Sequence, residues 1–374
     1  MLHKQESLTF IERAKRLNFW IIGLIALLSF AGFVLLYSAG GASFSPWAQP
    51  QILKFILGFT LMLFVACIDI NHLIKYAYVA YGISLLLLIA VHVFGMIGMG
   101  AQRWISLGVI RLQPSELMKI SLVLTLACYY HRLSLEDIES PRFLLIPLAL
   151  IFIPSLLVLK QPDLGTTLLL VAIGISLMFV AGVRVWYFVA AFGGLLGSLP
   201  IAWGFLRAYQ KKRILTFLNP EEDPLGSGYH ILQSKIALGS GGLFGKGFLK
   251  GTQSHLNFLP EKQTDFIFTM FCEEFGLIGA IGLLSIYALL IFQCLVIAVR
   301  CRSSFGRLVS FGIAMSLFVY VFINMSMVIG LVPVVGVPLP FVSYGGTSLI
   351  TLLIGFGILL NADVHQELKI PRYS

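Results

Sequence analysis

Charge is what this sequence has least of. Only 11% of its 374 residues are Asp, Glu, Lys or Arg, 58% are hydrophobic, and mean hydropathy is +0.92. A soluble domain buries too little surface per residue to hide that much apolar area, so lipid is the solvent for most of the chain. Cysteine is also sparse. Cys67, Cys128, Cys272, Cys294 and Cys301 fall in or beside apolar segments with no CxxC pair, which reads as reduced thiols and excludes a disulfide scaffold. The histidines (His3, His72, His92, His131, His230, His255 and His365) lack zinc-ligand spacing. There is no G-x-S-x-G elbow and no nucleic-acid motif to go with the net charge of +9. In a membrane protein that balance fits basic loops facing anionic lipid.

What the sequence does have is long apolar runs. A membrane-spanning helix needs ~20 mainly apolar residues. About ten spans are predicted, near 17–37, 52–70, 74–94, 115–130, 143–159, 164–182, 185–204, 266–299, 306–331 and 342–361. The first is too long for the apolar core of a signal peptide and should remain as an anchor. The eighth is long enough to tilt or to project from the bilayer. The expected fold is an all-α polytopic membrane protein, one integral membrane domain over 1–374. A large extracytoplasmic loop, 205–265, joins helices 7 and 8.

Charge sets the orientation. Lys4, Arg13, Lys15 and Arg16 lie in the N-terminal tail, and Lys75, Arg132, Arg142, Arg184, Arg300, Arg302 and Arg307 in alternate loops. Lys369 and Arg372 close the chain. Ten spans put these thirteen cations on one side, taken as cytoplasmic, against five on the other: Lys54, Arg103, Arg111, Lys119 and Lys160. The loop then lies outside and carries eight more: Arg207, Lys211, Lys212, Arg213, Lys235, Lys246, Lys250 and Lys262. A basic loop that closes on a lone carboxylate, Asp265, at a membrane surface points to chemistry on an anionic, lipid-borne substrate.

Asp265 has a plainer role available. Thr264 would be an N-cap and Asp265 an acid favouring the positive end of the helix dipole. Glu273 and Glu274 lie about two turns further on, at a depth where ionisable groups face the bundle interior or an aqueous cavity. Glu116 and Lys119 follow Gln113-Pro114-Ser115, where Pro114 suits a first helical turn, and at i, i+3 they can pair locally. Arg103 precedes Trp104, and Asp163 stands at another exterior helix start, able to cap it and to pair with Lys160. The run Gly239-Ser-Gly-Gly-Leu-Phe-Gly-Lys-Gly247 fails as a phosphate loop, because Gly247 stands where Ser or Thr must follow the lysine. It also fails GxGxxG at Phe244, and is read as tight turns that approach a ligand or bilayer closely. The uncharged Val332–Pro340, with three prolines, is predicted to be a non-helical, partly re-entrant connection.

Several phrases, in order, resemble the SEDS family of shape, elongation, division and sporulation proteins. They are Gly100-Ala-Gln-Arg-Trp104, Gln113-Pro-Ser-Glu-Leu-Met-Lys119, Lys160-Gln-Pro-Asp-Leu-Gly-Thr166, Gly228–Gly242, Leu259-Pro-Glu-Lys-Gln-Thr-Asp-Phe-Ile-Phe268, Glu273-Glu-Phe-Gly276 and Val342–Ser348. The short tails and Gln233-Ser-Lys-Ile favour its elongation branch over its division branch. Met99 and Cys272 depart mildly from the pattern.

The resemblance implies a peptidoglycan glycosyltransferase of the bacterial cytoplasmic membrane, polymerising lipid II outside. Asp265 matches the family's essential aspartate, and Glu116, Lys119 and Asp163 match its polar cavity residues. Transfer from an α-linked donor to a β-linked product implies one inverting displacement, for which a single general base is enough. Arg103, Lys119, Arg207, Lys211 and Lys262 are candidates to bind the pyrophosphate, with Glu273 and Glu274 in support. No cofactor is assigned, though a divalent cation (Mg or Mn) would suit the leaving group. The implied partners are lipid II, a class B penicillin-binding protein and other elongation-complex membrane proteins. A lipid II flippase, a division-type polymerase and a cell-wall scaffold are the competing readings. The first lacks the internal repeat common in transporters. The scaffold leaves the exterior carboxylates unexplained.

Overall fold

A computed structural model describes residues 9–98, 101–106, 111–205, 211, 215–216, 227–252 and 261–371. The helices are α1 (Phe10–Lys15), α2 (Phe19–Ala39), α3 (Ala48–Ala66), α4 (Ile70–Phe94), α5 (Pro114–Arg132), α6 (Leu135–Glu139), α7 (Leu145–Lys160), α8 (Leu164–Ala181), α9 (Val185–Phe205), α10 (Ser227–Ser240), α11 (Ile267–Arg300), α12 (Ser304–Ile329) and α13 (Thr347–Val364). Eight helical segments are long and apolar enough to cross a membrane, which makes this a polytopic all-α membrane protein. They match eight of the ten predicted spans. The other two stretches are also helical, as α5 and α9. The apolar part of α9 with described side chains is short, Val185–Ser198.

Local sequence starts and stops these helices. Asn18, Asp69, Asp163 and Ser303 accept backbone N–H groups at the starts of α2, α4, α8 and α12. Pro114 occupies the first turn of α5. Gly182 and Gly330 end α8 and α12 in the left-handed conformation. α5 is the central post, with fifteen of its nineteen residues buried against α4, α7, α8, α12 and α13. That position explains why α5 can be the most polar long helix: it faces protein and cavity, so lipid does not select for its hydropathy.

Contacts divide the bundle into two ends. At one, Arg13 pairs with Asp69 at 3.0 Å, and Asn18 donates to Asp363 at 3.3 Å. The Arg302 amide meets the Gln366 carbonyl there, and His131 meets Pro371. The described beginning and end of the chain therefore share this end. Three short strands, β1 (Met96–Gly98), β2 (Ala101–Ser106) and β3 (Arg111–Leu112), form an antiparallel sheet at the other. That sheet, unforeseen from the sequence, carries Arg103.

Residues 330–346 are non-helical, as predicted for Val332–Pro340; the last predicted span, 342–361, begins instead as a helix at Thr347, and the non-helical segment turns inward. Val337, Leu339, Phe341 and Val342 are all buried. Tyr287 donates to the Pro340 carbonyl at 2.5 Å, and Gln51 brackets the segment through Ser343 O and Gly345 N. Gly32 of α2 lets the loop come this close, since a Cβ there would stand 2.8 Å from the backbone at Phe341 and Val342. Irregular backbone at membrane depth is stable only when enclosed by protein in this way.

Candidate active site

The segment before Asp265 is anchored by a break in α11. Gly276 has φ 66° and ψ −165°, which interrupts the helical ladder. In a continuous helix the Leu277 and Ile278 amides would bond to the carbonyls of Glu273 and Glu274. They bond to Gly242 and Leu243 instead, while those two carbonyls take the amides of Lys246 and Gly247, all at 2.9–3.1 Å. The glycine-rich run is thus spliced into the helix and replaces its missing hydrogen bonds. Gly245 must be glycine: φ is +78°, and a Cβ would stand 2.1 Å from the Glu274 carbonyl oxygen. The predicted close approach is real, and it is to backbone.

Glu273 and Glu274 serve this splice. Glu273 is fully buried and pairs with Lys246 at 2.8 Å, with Thr252 donating at 3.2 Å. Ser38 donates to Glu274 at 2.5 Å. Both glutamates support architecture here, and Lys246 is committed to Glu273. The described part of the predicted 205–265 loop is also not all loop. α10 packs on α11 and α12, with buried Ser234 bonded to Thr269 and to the Val328 carbonyl.

Asp265 does not cap a helix. The N-cap of α11 is Phe266, with no side-chain cap bond, and the Thr264 hydroxyl turns back to Glu261. Asp265 sits on a turn whose backbone is held from two sides. Asn324 of α12 donates to the Asp265 carbonyl at 3.0 Å and to the Val337 carbonyl at 2.7 Å. Ser343 donates to the Thr264 carbonyl at 2.6 Å, and the Tyr344 amide donates to Gln263 at 2.8 Å. The carboxylate is therefore partly buried and faces Gly336. Loss of water raises its pKa to about 6; Glu261 and Asp163 add to the rise and Arg103 opposes it.

Arg103 and Asp163 form the facing wall. Arg103 donates to the carbonyls of Gln161 and Pro162 and lies 3.7 Å from the Asp163 carboxylate. Asp163 caps α8 through the Thr166 amide and hydroxyl, as predicted, but its cation is Arg103 and not Lys160. Glu116 and Lys119 make the predicted local pair at 2.7 Å and are both buried. Tyr320 completes the group: its hydroxyl lies 3.0–3.1 Å from both Glu116 oxygens, and its ring lies 4.3 Å from the Lys119 ammonium. These three line a cavity bounded by Pro338–Phe341 and Ser343. The inward loop thus separates this cavity from Asp265, with Gly336 on one face and Leu339 on the other.

Of the remaining predicted cations, Lys262 is partly buried, and burial lowers its pKa. Lys211 lies 6.0 Å from the Trp203 ring, with no described contact to the Asp265 turn. Arg207 lies outside the described residues. Among the described residues no group of three acids, histidines or cysteines is placed to hold a metal. Glu261 and Asp163, the acids electrostatically coupled to Asp265, are already engaged by Thr264 and Gln263 and by Thr166 and Arg103. Asn324, Ser343, Tyr320 and Gln51 were missed in the sequence. Three of the four are polar residues inside apolar spans, the signal that would have found them.

The model of the FtsW/RodA/SpoVE cell cycle protein family matches residues 15–368. The peptidoglycan glycosyltransferase MrdB of Escherichia coli K12 is 46% identical over 92% of this chain and 92% of its own. Stage V sporulation protein E of Bacillus subtilis is 37% identical over 93% and 97%. A chain solved in a study of how a peptidoglycan synthase complex coordinates polymerization and crosslinking is similar at a TM-score of 0.83. It is 31% identical, covering 94% of this chain and 99% of that one. The rod shape determining protein RodA of Thermus thermophilus gives a TM-score of 0.71 at 30% identity, covering 94% and 98%.

Proposed function

The chain belongs to the FtsW/RodA/SpoVE cell cycle protein family and is a peptidoglycan glycosyltransferase, and we propose that Asp265 is its general base. The substrate is lipid II, and the growing glycan is carried on undecaprenyl diphosphate. As the 4-hydroxyl oxygen of the incoming sugar bonds to the anomeric carbon of the donor, the bond from that carbon to the diphosphate oxygen breaks. The hydroxyl proton passes to Asp265 and the diphosphate leaves as an anion. Attack opposite the leaving group inverts an α-linkage to β.

The observation that carries this reading is the state of Asp265. It is a partly buried carboxylate on a turn fixed by Asn324 and Ser343, with a pKa near 6. A base is most effective when its pKa lies near the working pH and its geometry is preset. Arg103, anchored to two carbonyls beside Asp163, is the candidate to receive charge developing on the diphosphate. Lys119, locked between Glu116 and Tyr320, shapes the neighbouring cavity. Arg207, Lys211 and Lys262 remain candidates for a more distant grip on the substrate.

We place the protein in the inner membrane with both termini cytoplasmic, supported by the excess, outside the long 205–265 loop, of thirteen cations over five on the side they share. The glycan must be cross-linked after synthesis. The similar chain from a synthase complex that couples the two steps supports a class B penicillin-binding protein as partner. Similarity to MrdB at 46%, against 36% and 38% for the probable FtsW proteins of Aliivibrio salmonicida and Trichlorobacter lovleyi, favours the elongation role. Purified protein incubated with lipid II should make glycan strands. Passage of dye-labelled lipid II across liposomes with no polymer formed would favour the flippase.

A further inference from the structure

Lys54 is a cation in the second turn of the apolar helix α3, and it forms no ion pair among the described residues. An ionisable group inside a membrane span needs a reason to be there. One ordinary reason is snorkelling, in which a lysine near a helix end extends its ammonium to water. Lys54 does something else. Its ammonium folds onto Tyr344, 3.0 Å from the hydroxyl and 4.3 Å from the ring centroid. Trp47 packs edge-on against the same ring at 5.1 Å. The side chain is partly buried and held in place by a residue of the inward loop.

That loop residue is tied to the active turn. The Tyr344 amide donates to Gln263, and its neighbour Ser343 donates to Thr264, the residue before Asp265. Gln51, one turn from Lys54 on the same helix face, holds Ser343 and Gly345 on either side of Tyr344. Lys54 is thus a positive charge linked through Tyr344 to the Asp265 turn from the α3 side, while Arg103 of β2 is the cation that acts on the Asp265 carboxylate itself. Tyr344 supplies a ring face and a neutral hydroxyl, neither of which neutralises an ammonium. A third ligand for Lys54 should be an anion.

Resting on the reading of Asp265 as base, we propose that Lys54 and Tyr344 form a second diphosphate subsite. It holds the diphosphate of one of the two lipid-linked sugars, while Arg103 serves the other. Both reactants carry a diphosphate on a polyprenyl tail, so two separate cationic contacts at the membrane surface are what the reaction requires. The ammonium donates to phosphate oxygens with one of its three N–H groups already directed by the tyrosine.

The test is binding of undecaprenyl diphosphate to the full-length protein in nanodiscs, with every variant, the parent included, built on Asp265→Asn and Arg103→Gln so that chemistry is silent and the Lys54 site is read without the other one. Lys54→Met should weaken binding about tenfold or more, the usual scale for losing a charge-assisted contact. Lys54→Arg should stay within about threefold. Lys75→Met is the control, a lysine over a tyrosine ring at the other end of the bundle, and should bind as the parent does. If Lys54→Met does not fold, Lys54→Gln keeps a donor for Tyr344 without the charge and carries the same expectation. Inorganic pyrophosphate should compete for the site and phosphatidylglycerol should not. Binding within twofold of the parent in the uncharged variants overturns the proposal, as does displacement by phosphatidylglycerol alone, which would mark a general anionic-lipid contact. Binding is read without turnover, so these outcomes are separate from whether Asp265 is the base.

Discussion

Asn324 holds Asp265 by its backbone. One amide hydrogen goes to the Asp265 carbonyl at 3.0 Å and the other to Val337 at 2.7 Å. A single side chain on α12 thereby joins the turn carrying the carboxylate to the inward loop that faces it. Neither bond touches the carboxylate, so Asn324 is a positioning residue.

Asn324→Ala should leave the buried Val337 carbonyl without this donor, at about 1–3 kcal/mol, and free the partly buried Asp265 carbonyl. Displacement of a reacting group by ~1 Å costs on the order of a hundredfold in rate. The expected kinetic result is a large fall in kcat with KM little changed. A fall confined to KM would place Asn324 in substrate binding instead.

The raised pKa of Asp265 gives a pH profile. A base must be ionised to accept a proton, so the rate should fall about tenfold per pH unit below pH 6 and level off above it. The environment fixes the sign of two further shifts. Glu261→Gln removes a neighbouring negative charge and should move the midpoint down. Arg103→Gln removes the one positive influence found among the described residues and should move it up, besides slowing the reaction. A midpoint unmoved by both changes would mean that another group titrates.

The buried Glu116–Lys119 pair should behave as a unit. Lys119→Met leaves an uncompensated carboxylate and should cost about 3–5 kcal/mol of stability. The double variant with Glu116→Gln should recover most of that loss. Thermal unfolding in detergent measures both, and additive losses would show that the two do not interact.

Gly245→Ala puts a methyl against the Glu274 carbonyl at a left-handed φ. It should destabilise the protein by roughly 3 kcal/mol or more and loosen α10 along with the helix break. A substitution tolerated without loss of melting temperature would refute the splice between the glycine run and α11.

Much of this could be read from the sequence wherever one physical rule dominates. Run length alone placed α8, predicted at 164–182 and found at Leu164–Ala181, because a bilayer fixes how many residues a helix needs. Asp265 was visible as the carboxylate that ends a basic window. The sheet was not, since strands of 3, 6 and 2 residues give no usable period. The glycine run resembles nucleotide loops locally, yet its partners are carbonyls and amides 27 or 35 residues away, which no local pattern encodes. Asn324 was open to discovery as a polar residue inside an apolar span, but its role and that of Ser343 come from backbone groups that only the folded chain brings near.

The most direct measurement is the rate of glycan polymerisation from purified lipid II by the Asp265→Asn variant, alongside parent protein of matched melting temperature. Asparagine keeps the size of the side chain and cannot take the proton. Loss of a general base typically removes 10²–10⁴ of rate, so the variant should bind lipid II and yield no strands above background. Polymer formed at the parent rate by the folded variant would contradict the assignment of Asp265 as the base.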